Sequence, residues 1–172
     1  MAGLRQRAVS ACHGERPRRA GAGFGLIEFM IAIAIMGLLA GYAIPAMRGS
    51  MSNSQARLVT QRFVQDFAWL RSQAVTGTHA ISLTISSNCS WSATQDGVAV
   101  PDRSFSSAQI AATAKGIGCA LGSGSFPVSF TFDNQGFLSG SPVALTFTAT
   151  SGQTFPLQIL TSGAVIRVNG AA

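Results

Sequence analysis

The chain has 172 residues, of which 47% are hydrophobic and only 10% are charged. Soluble domains carry about 25% charged residues, so this composition excludes charge-driven disorder and argues against an ordinary cytosolic enzyme. The length accommodates one domain with an appendage, not two full cores. The net charge of +6 is concentrated at one end, because residues 1–23 contain five arginines and one glutamate while residues 24–172 are nearly neutral.

An apolar run extends from Phe24 to Ile44 and contains one charged side chain, Glu28. A helix of this length spans about 31 Å, close to the ~30 Å hydrocarbon core of a bilayer. Five arginines precede the run and only Arg48 and Arg57 follow it closely. The positive-inside rule therefore predicts a cytoplasmic N-terminus, with the rest of the chain across the membrane. A carboxylate at mid-bilayer costs about 2.5–3.5 kcal/mol and less near the edge, so we expect Glu28 to have a function and a cationic partner.

Two simpler interpretations of the apolar run remain open. One is a cleavable signal peptide with small residues around Ala43 and Ala46, although the apolar region of a signal peptide is typically about 7–15 residues long. The other is a plain membrane anchor, which has no use for a carboxylate at Glu28. The first would yield a secreted β-protein, and the second a membrane-anchored periplasmic binding module.

The residues Gly23-Phe24-Gly25-Leu26-Ile27-Glu28 resemble the cleavage and assembly motif of type IV prepilins and type II secretion pseudopilins. The resemblance implies that a membrane-embedded prepilin peptidase cuts after Gly23 and methylates the new amine of Phe24. It also implies that Glu28, the fifth mature residue, pairs with the N-terminal amine of a neighbouring subunit. Opposite charges attract strongly in a low dielectric, and removing one partner leaves the other stranded. The sequence departs from the family pattern at Gly25, where threonine is common, and in its long leader.

Three further residues of the apolar helix have candidate roles, one from the resemblance and two from their spacing. Pro45 is similar to the proline that pilins keep at the end of the apolar half, where the helix can unwind in the filament; a proline that simply ends the membrane span is the alternative. Gly37 and Gly41 form a GxxxG spacing, which lets two helices approach closely in lipid. We predict four segments: a leader over 1–23 that is removed, a hydrophobic transmembrane and assembly helix over 24–45, an amphipathic helix over 46–77, and a β-rich periplasmic head over 78–172.

The amphipathic helix has one apolar stripe, with residues spaced three and four apart. The stripe consists of Ala56, Val59, Phe63, Phe67, Leu70 and Ala74. The residues between them are predicted to form a solvated face: Arg57, Thr60, Gln61, Arg62, Gln65, Asp66 and Arg71. Gly77 is predicted to end the helix.

From Ala80 onward, apolar and polar residues alternate as in half-buried strands. The predicted strands are 81–85, 128–132, 143–149, 155–159 and 164–168, with a hairpin turn at Asp133-Asn-Gln-Gly136. Pro156 predicts that its strand lies at an edge or starts late. The Ser-, Ala- and Gly-rich stretch 86–125 is predicted to form loops, with short strands around Trp91 and Val98–Val100.

We therefore predict an α+β, pilin-like fold: a long N-terminal helix, half transmembrane and half amphipathic, packed on an antiparallel β-sheet head with C-terminal hairpins. The stretches FTFDNQGFLSG, VALTFTAT and FPLQILTSGAVIRV resemble the C-terminal hairpins of GspH/FimT-type minor pseudopilins. This implies a minor subunit of a type IV pilus or a type II secretion system. The implied partners are other pilin subunits, the prepilin peptidase, an inner-membrane platform protein and a cytoplasmic ATPase. The implied location is the inner membrane, crossed once, and then the filament.

Cys89 and Cys119 fall on the predicted periplasmic side, where disulfides persist. They are a candidate bridge, and two independent buried thiols are the alternative. Closing a loop of about 30 residues stabilises by roughly 3–4 kcal/mol in the chain-entropy model. Cys12 would leave with the leader.

No enzyme, cofactor or metal site is predicted, because the sequence has no paired carboxylates, no Ser–His–Asp order and no clustered ligands. His79 is expected to be a capping or surface residue. DNA binding, a property that the resemblance to some pilus subunits raises, needs a cluster of cations. The head offers only Arg103, Lys115 and Arg167. Arg167 is thus a candidate DNA contact in an alternative function, that of a DNA-binding minor pilin for DNA uptake, and nucleic acid is not an expected partner.

Overall fold

The computed structural model describes residues 25–77 and 79–168. One long helix, α1 (Leu26–Thr76), precedes all of the described strands. The chain forms two compact units, Met1–Ala40 and Gly41–Ala172, and α1 contributes residues to both. Gly77 follows the last helical residue, and its N–H donates to the carbonyl of Gln73, as expected of a residue that ends a helix.

In the first unit, the described helix exposes all of its large apolar side chains. Its best 18-residue window has a mean hydropathy of 2.1, so α1 is long and apolar enough to cross a membrane. Exposed apolar side chains on this scale are unfavourable in water and favourable in lipid.

The second unit combines the C-terminal part of α1 with strands that alternate in burial. In chain order, the further elements are β1 (Ile81–Ile85), β2 (Trp91–Gln95), β3 (Val98–Ala99), a 3-10 turn (Pro101–Arg103), α2 (Ser107–Thr113), β4 (Gly118–Leu121), β5 (Val128–Phe132), β6 (Val143–Thr148), β7 (Thr154–Ile159) and β8 (Val165–Arg167). They form two four-stranded sheets, with orders β3-β2-β1-β5 and β4-β6-β7-β8. Each strand pair is antiparallel. The α+β class predicted from the sequence is confirmed.

The apolar stripe of α1 is the centre of the core, and it packs on both sheets. Phe63 contacts Trp91 of the first sheet and Phe147 of the second, with ring centroids 5.4 and 5.7 Å apart. Phe67 contacts Phe130 and Phe132 of the first sheet. Edge-to-face aromatic pairs of this kind stabilise beyond the area that they bury. The predicted stripe is therefore confirmed as core.

The solvated face predicted for α1 is wrong at two positions. Thr60 and Asp66 are buried among the apolar residues. Thr60 satisfies its hydroxyl within the helix by donating to the carbonyl of Ala56 at 2.8 Å. Asp66 has partners on other elements, described below.

The strands divide between two sheets, a division that the alternation of residues does not predict. Asp133 to Gly136 do form a turn, with the Gly136 N–H donating to the Asp133 carbonyl. The return segment makes only a single bridge, from Leu138 to Phe132, before β6 joins the other sheet. The β6–β7 and β7–β8 hairpins are present as predicted.

Both alternatives predicted from Pro156 are wrong, since β7 begins at Thr154, before the proline, and lies between β6 and β8. Pro156 is tolerated because of where β8 ends. The Pro156 carbonyl accepts the Val168 N–H, one residue past the last residue of β8. The nitrogen of Pro156, which has no hydrogen to donate, therefore faces the end of the β7–β8 pairing. The sheet loses only one hydrogen bond there.

The stretch 86–125 contains the predicted strands at Trp91 and Val98, but also α2 and β4, which the sequence analysis read as loop. Ser106 caps α2 by accepting the Gln109 N–H, while the Gln109 side chain accepts the Ser106 N–H. Cys89, in the loop after β1, forms a disulfide with Cys119 of β4, with Cα atoms 5.6 Å apart. The expected bridge is thus present and joins the two sheets.

Candidate assembly site and the polar sites of the head

Glu28 lies in the first turn of α1, where the Glu28 and Phe29 N–H groups donate to the carbonyl of Gly25. A carboxylate is favoured at this position because unpaired N–H groups give a helix N-terminus a partial positive charge. Its neighbours Ile27 and Phe29 are 70% and 64% exposed. Glu28 is the one charged side chain among residues 25–40. The helix thus presents a single carboxylate on a fully exposed apolar surface.

Two glycines of the apolar helix also face open space. A Cβ atom built on Gly37 or Gly41 meets no heavy atom within 4 Å. Pro45 lies within α1, and its side chain is outside the described part of the structure. Gly23 and Phe24, the predicted cleavage and methylation positions, also lie outside the described residues, as do Cys12 and the rest of the predicted leader.

Asp66 is the centre of a polar site in the head that was not predicted from the sequence. Its side chain is fully buried, and one carboxylate oxygen accepts from Arg62 Nε at 3.0 Å and from Trp91 Nε1 at 3.2 Å. The other oxygen accepts from Arg103 Nη1 at 3.4 Å. The helical spacing does indicate that Asp66 is buried, because residue 66 falls on the apolar stripe between Phe63 and Leu70.

The two arginines extend this cluster towards the surface. Arg62 also donates from Nη2 to the carbonyl of Asp102 at 2.8 Å. The Arg103 guanidinium lies 4.7 Å from the centre of the Trp69 ring, a cation–π contact. These contacts fasten β2 and the 3-10 turn to α1, which gives Asp66 a structural role.

His79 and Asp96 form an exposed pair near the start of β1. His79 Nδ1 lies 2.5 Å from Asp96 Oδ2, and the Ala80 N–H donates to Asp96 Oδ1 at 2.8 Å. The backbone hydrogen bond from Ala80, and then the one from the His79 side chain, lower the pKa of Asp96 below its usual value. Because His79 itself is exposed, the prediction of a surface residue is confirmed.

The three cations considered for DNA binding lie on different elements. Arg103 is engaged with Asp66 and Trp69. Lys115 follows α2 and Arg167 ends β8, and both are exposed. Among the described residues, no three His, Cys, Asp or Glu side chains are grouped so that they could hold a metal ion.

Comparison with known proteins shows which families this chain resembles. The family described as type II transport protein GspH matches residues 59–171, and the prokaryotic N-terminal methylation motif matches residues 18–44. The type IV minor pilin FimU of Pseudomonas aeruginosa is similar in structure, with a TM-score of 0.43 and 16% identity over 69% of this chain and 90% of that one. A search of curated proteins gave no match.

The GspH match covers the α1 stripe from Val59 onward, both sheets and the disulfide, and the methylation motif covers the apolar run from Phe24 to Ile44 with Glu28. Members of this family are structural subunits that associate with other pilin subunits, and they are not known as enzymes. The motif and the apolar helix indicate membrane anchoring. The chain belongs to the GspH family and is a minor pseudopilin subunit of a type IV pilus or a type II secretion system.

Proposed function

We propose that this pseudopilin is made as a precursor that the prepilin peptidase cleaves after Gly23 and methylates on the amine of Phe24. Residues 1–23 are then the leader, 24–45 the membrane and assembly helix, 46–77 its amphipathic continuation and 78–172 the periplasmic head. The protein works without catalysing a reaction: the helix holds it in the filament, and the head recognises neighbouring subunits.

The observation that carries this proposal is the single carboxylate of Glu28 on the exposed apolar surface of α1. An unpaired carboxylate in lipid is costly, and an N-terminal amine five residues along a neighbouring helix is a cation of the right charge. Pairing offsets the cost for both groups and fixes the register between subunits. Pro45 would allow the helix to loosen there once the subunit enters the filament.

The proposed topology follows the distribution of charge. The arginines of residues 1–23 stay in the cytoplasm, the apolar helix crosses the inner membrane once, and the head lies in the periplasm. The disulfide between Cys89 and Cys119 supports this placement, because disulfides persist on that side. Insertion into the filament then needs an inner-membrane platform protein and a cytoplasmic ATPase as partners.

Mass spectrometry of the mature N-terminus, together with Glu28 variants, tests the proposal. Wild-type protein should begin at N-methylated Phe24. Glu28→Lys should be cleaved nearly normally yet be lost from sheared filaments, whereas Gln65→Lys, which also introduces a lysine at an exposed position of α1, should be incorporated.

Three results would contradict it. A mature start near Met47 indicates a signal peptide, and an intact Met1 indicates a plain anchor. Normal incorporation of Glu28→Lys rules out the pairing with the amine.

A further inference from the structure

The end of the head that meets α1 at Ser52 to Ala56 is built from two loops that pack on this helix. The β6–β7 turn contacts the helix through Ser151, whose N–H donates to Ser52 Oγ at 3.3 Å and whose hydroxyl contacts Asn53. The loop after α2 lies beside this turn, because Thr150 donates to the carbonyl of Lys115 at 3.0 Å. A small cleft between these loops and the helix is lined by Ser52, Gln55, Ala56, Lys115 and Thr150, among others. These contacts fix where along α1 the head begins.

This end of the head carries two exposed cations. Arg48 lies four residues before Ser52, so it is on the same side of α1, and helical side chains lean towards the N-terminus. Lys115 is exposed in the loop that packs at Ser52 to Ala56. Neither side chain forms an ion pair with any residue in the described part of the chain.

The acidic residues lie elsewhere. After Glu28 the sequence has four: Asp66, Asp96, Asp102 and Asp133. Asp66 is buried and is about 21 Å further along α1 than Ser52. Asp102 lies in the 3-10 turn beside Arg62, and Asp96 pairs with His79. Asp133 begins the turn whose Gly136 meets Arg71, still further along α1. The end of the head at Ser52 is therefore positively charged.

Exposed apolar side chains lie beside Arg48 on the same turn of α1. Met47 and Met51 are 72% and 65% exposed, although they lie beyond the apolar run that ends at Ile44. A helix segment in which Arg stands beside exposed Met suits the interface between hydrocarbon and headgroups, where the Met side chains meet the acyl chains and the guanidinium reaches the headgroups. The segment thus suits a lipid surface better than water.

We propose that Arg48 and Lys115 bind anionic phosphate headgroups of the membrane that holds the apolar helix, and so seat the head on the bilayer before assembly. This inference rests on the membrane topology in the proposed function. Ser52 is seven residues beyond Pro45, about 10 Å along the helix. The headgroup layer occupies roughly 5–8 Å beyond the hydrocarbon on each side. Arg48 then lies within the headgroups, and Lys115 lies within about one Debye length of their phosphates.

Fluorescence quenching in reconstituted vesicles tests this contact. The full chain carries Cys12→Ser and Gln153→Cys, so that a bimane label reports on the exposed β6–β7 turn while Cys89 and Cys119 stay bonded. The quencher is a nitroxide on the lipid headgroup. We expect stronger quenching in vesicles that contain phosphatidylglycerol than in phosphatidylcholine alone, and a loss of the difference at high salt.

Variants that each remove one positive charge test whether Arg48 and Lys115 are the residues that bind the headgroups. Arg48→Gln and Lys115→Gln should each lower the ratio of membrane-contacting to free heads about fivefold in phosphatidylglycerol vesicles, because each cation near an anionic surface contributes a similar factor. Arg167→Gln removes the same charge from β8, and it is the matched control. Its strand partner Leu157 lies five residues along β7 from Gly152 of the turn, about 17 Å away. Quenching in this variant should match the wild type.

Two results would overturn the inference. Equal quenching in both kinds of vesicle, with the chain resistant to alkaline extraction, shows a protein that is embedded as proposed but whose head does not bind headgroup phosphate. Release of the chain by alkaline extraction shows instead that the membrane topology itself is wrong, and the inference fails with it.

Discussion

Asp66 shows how a charged residue can hold an apolar core together. Its carboxylate is surrounded by one indole and two guanidinium donors, so burial of the charge is offset by three charge-assisted hydrogen bonds. The donors come from α1, β2 and the 3-10 turn. Asp66 therefore specifies how these elements meet, beyond what apolar contacts alone provide.

Replacing Asp66 with Ala should lower the free energy of unfolding of the head by about 2–3 kcal/mol. The change leaves Trp91 Nε1 buried without a partner and leaves two guanidinium groups unpaired, while the partial exposure of both arginines limits the loss. Urea unfolding followed by tryptophan fluorescence measures the effect. The neighbouring exposed residue provides the control: Gln65→Ala should change the free energy by less than about 0.5 kcal/mol. Equal stability of the two variants would contradict this role.

Asp96 should make stability depend on pH in the acid range. Its pKa is lowered in the folded protein, so the stabilisation is fully present above the unfolded value of 3.8 and is lost as the pH falls through the folded pKa. Asp96→Asn should be less stable than the wild type at neutral pH, and the difference should disappear on acidification. Asn also tolerates the positive φ of 52° at this position. Thermal unfolding of both proteins at a series of pH values measures this difference in stability. A difference that persists to the lowest pH would count against the prediction.

The role of a single residue could be predicted from the sequence in some cases and not in others. Glu28 was identified as a candidate because a charge stands out in an apolar run. Asp66 does not stand out in this way, because the charges around it, Arg62 above all, indicate a solvated face. Its partners Trp91 and Arg103 come from distant parts of the chain, and no local pattern identifies them. Only its position on the stripe, three residues after Phe63, could have suggested burial.

Elements with a strong period were predicted well, and elements without one were not. The α1 stripe and the strands β1, β5, β6 and β7 have clear periods of 3.6 or 2. The seven-residue helix α2 and the strand β4 lie in Ser-, Ala- and Gly-rich sequence, where neither period develops. The capping box of Ser106 and Gln109 was the available signal for α2.

The division of the strands into two sheets was also beyond the sequence pattern. Alternation shows which side chains face the core, but it does not identify the partner of a strand. The division into two sheets reflects the packing of α1, because Phe63 and Phe67 contact apolar partners on both sides of the stripe. Two sheets supply them.

The disulfide between Cys89 and Cys119 should stabilise the head by roughly 3–4 kcal/mol, since it closes a loop of about 30 residues between the two sheets. Reductant should lower the unfolding midpoint of the wild type. The same treatment should leave the Cys89→Ser/Cys119→Ser variant, already less stable, unchanged. Labelling of free thiols in denaturant provides a second measurement: reactive thiols at both positions before reduction would show that the bridge does not form.

At the scale of the whole molecule, the chain carries two kinds of surface. The head of the second unit buries most of its large aromatic and aliphatic residues, whereas the described residues of the first unit expose theirs. The first unit therefore needs lipid or other helices as its surroundings. Substitutions there should affect assembly without affecting the stability of the head.

Gly37→Leu tests this separation. No heavy atom lies within 4 Å of a Cβ at Gly37, so the unfolding midpoint of the head should be unchanged. Incorporation into filaments should fall several-fold, because leucine keeps two helices apart where a GxxxG spacing lets them approach. Ala32→Leu adds bulk on the opposite side of the same exposed helix and is the matched control, with incorporation near that of the wild type. Quantitative immunoblotting of sheared filaments measures both, and an equal loss for the two variants would show that bulk anywhere on the helix, and not close approach at Gly37, limits assembly.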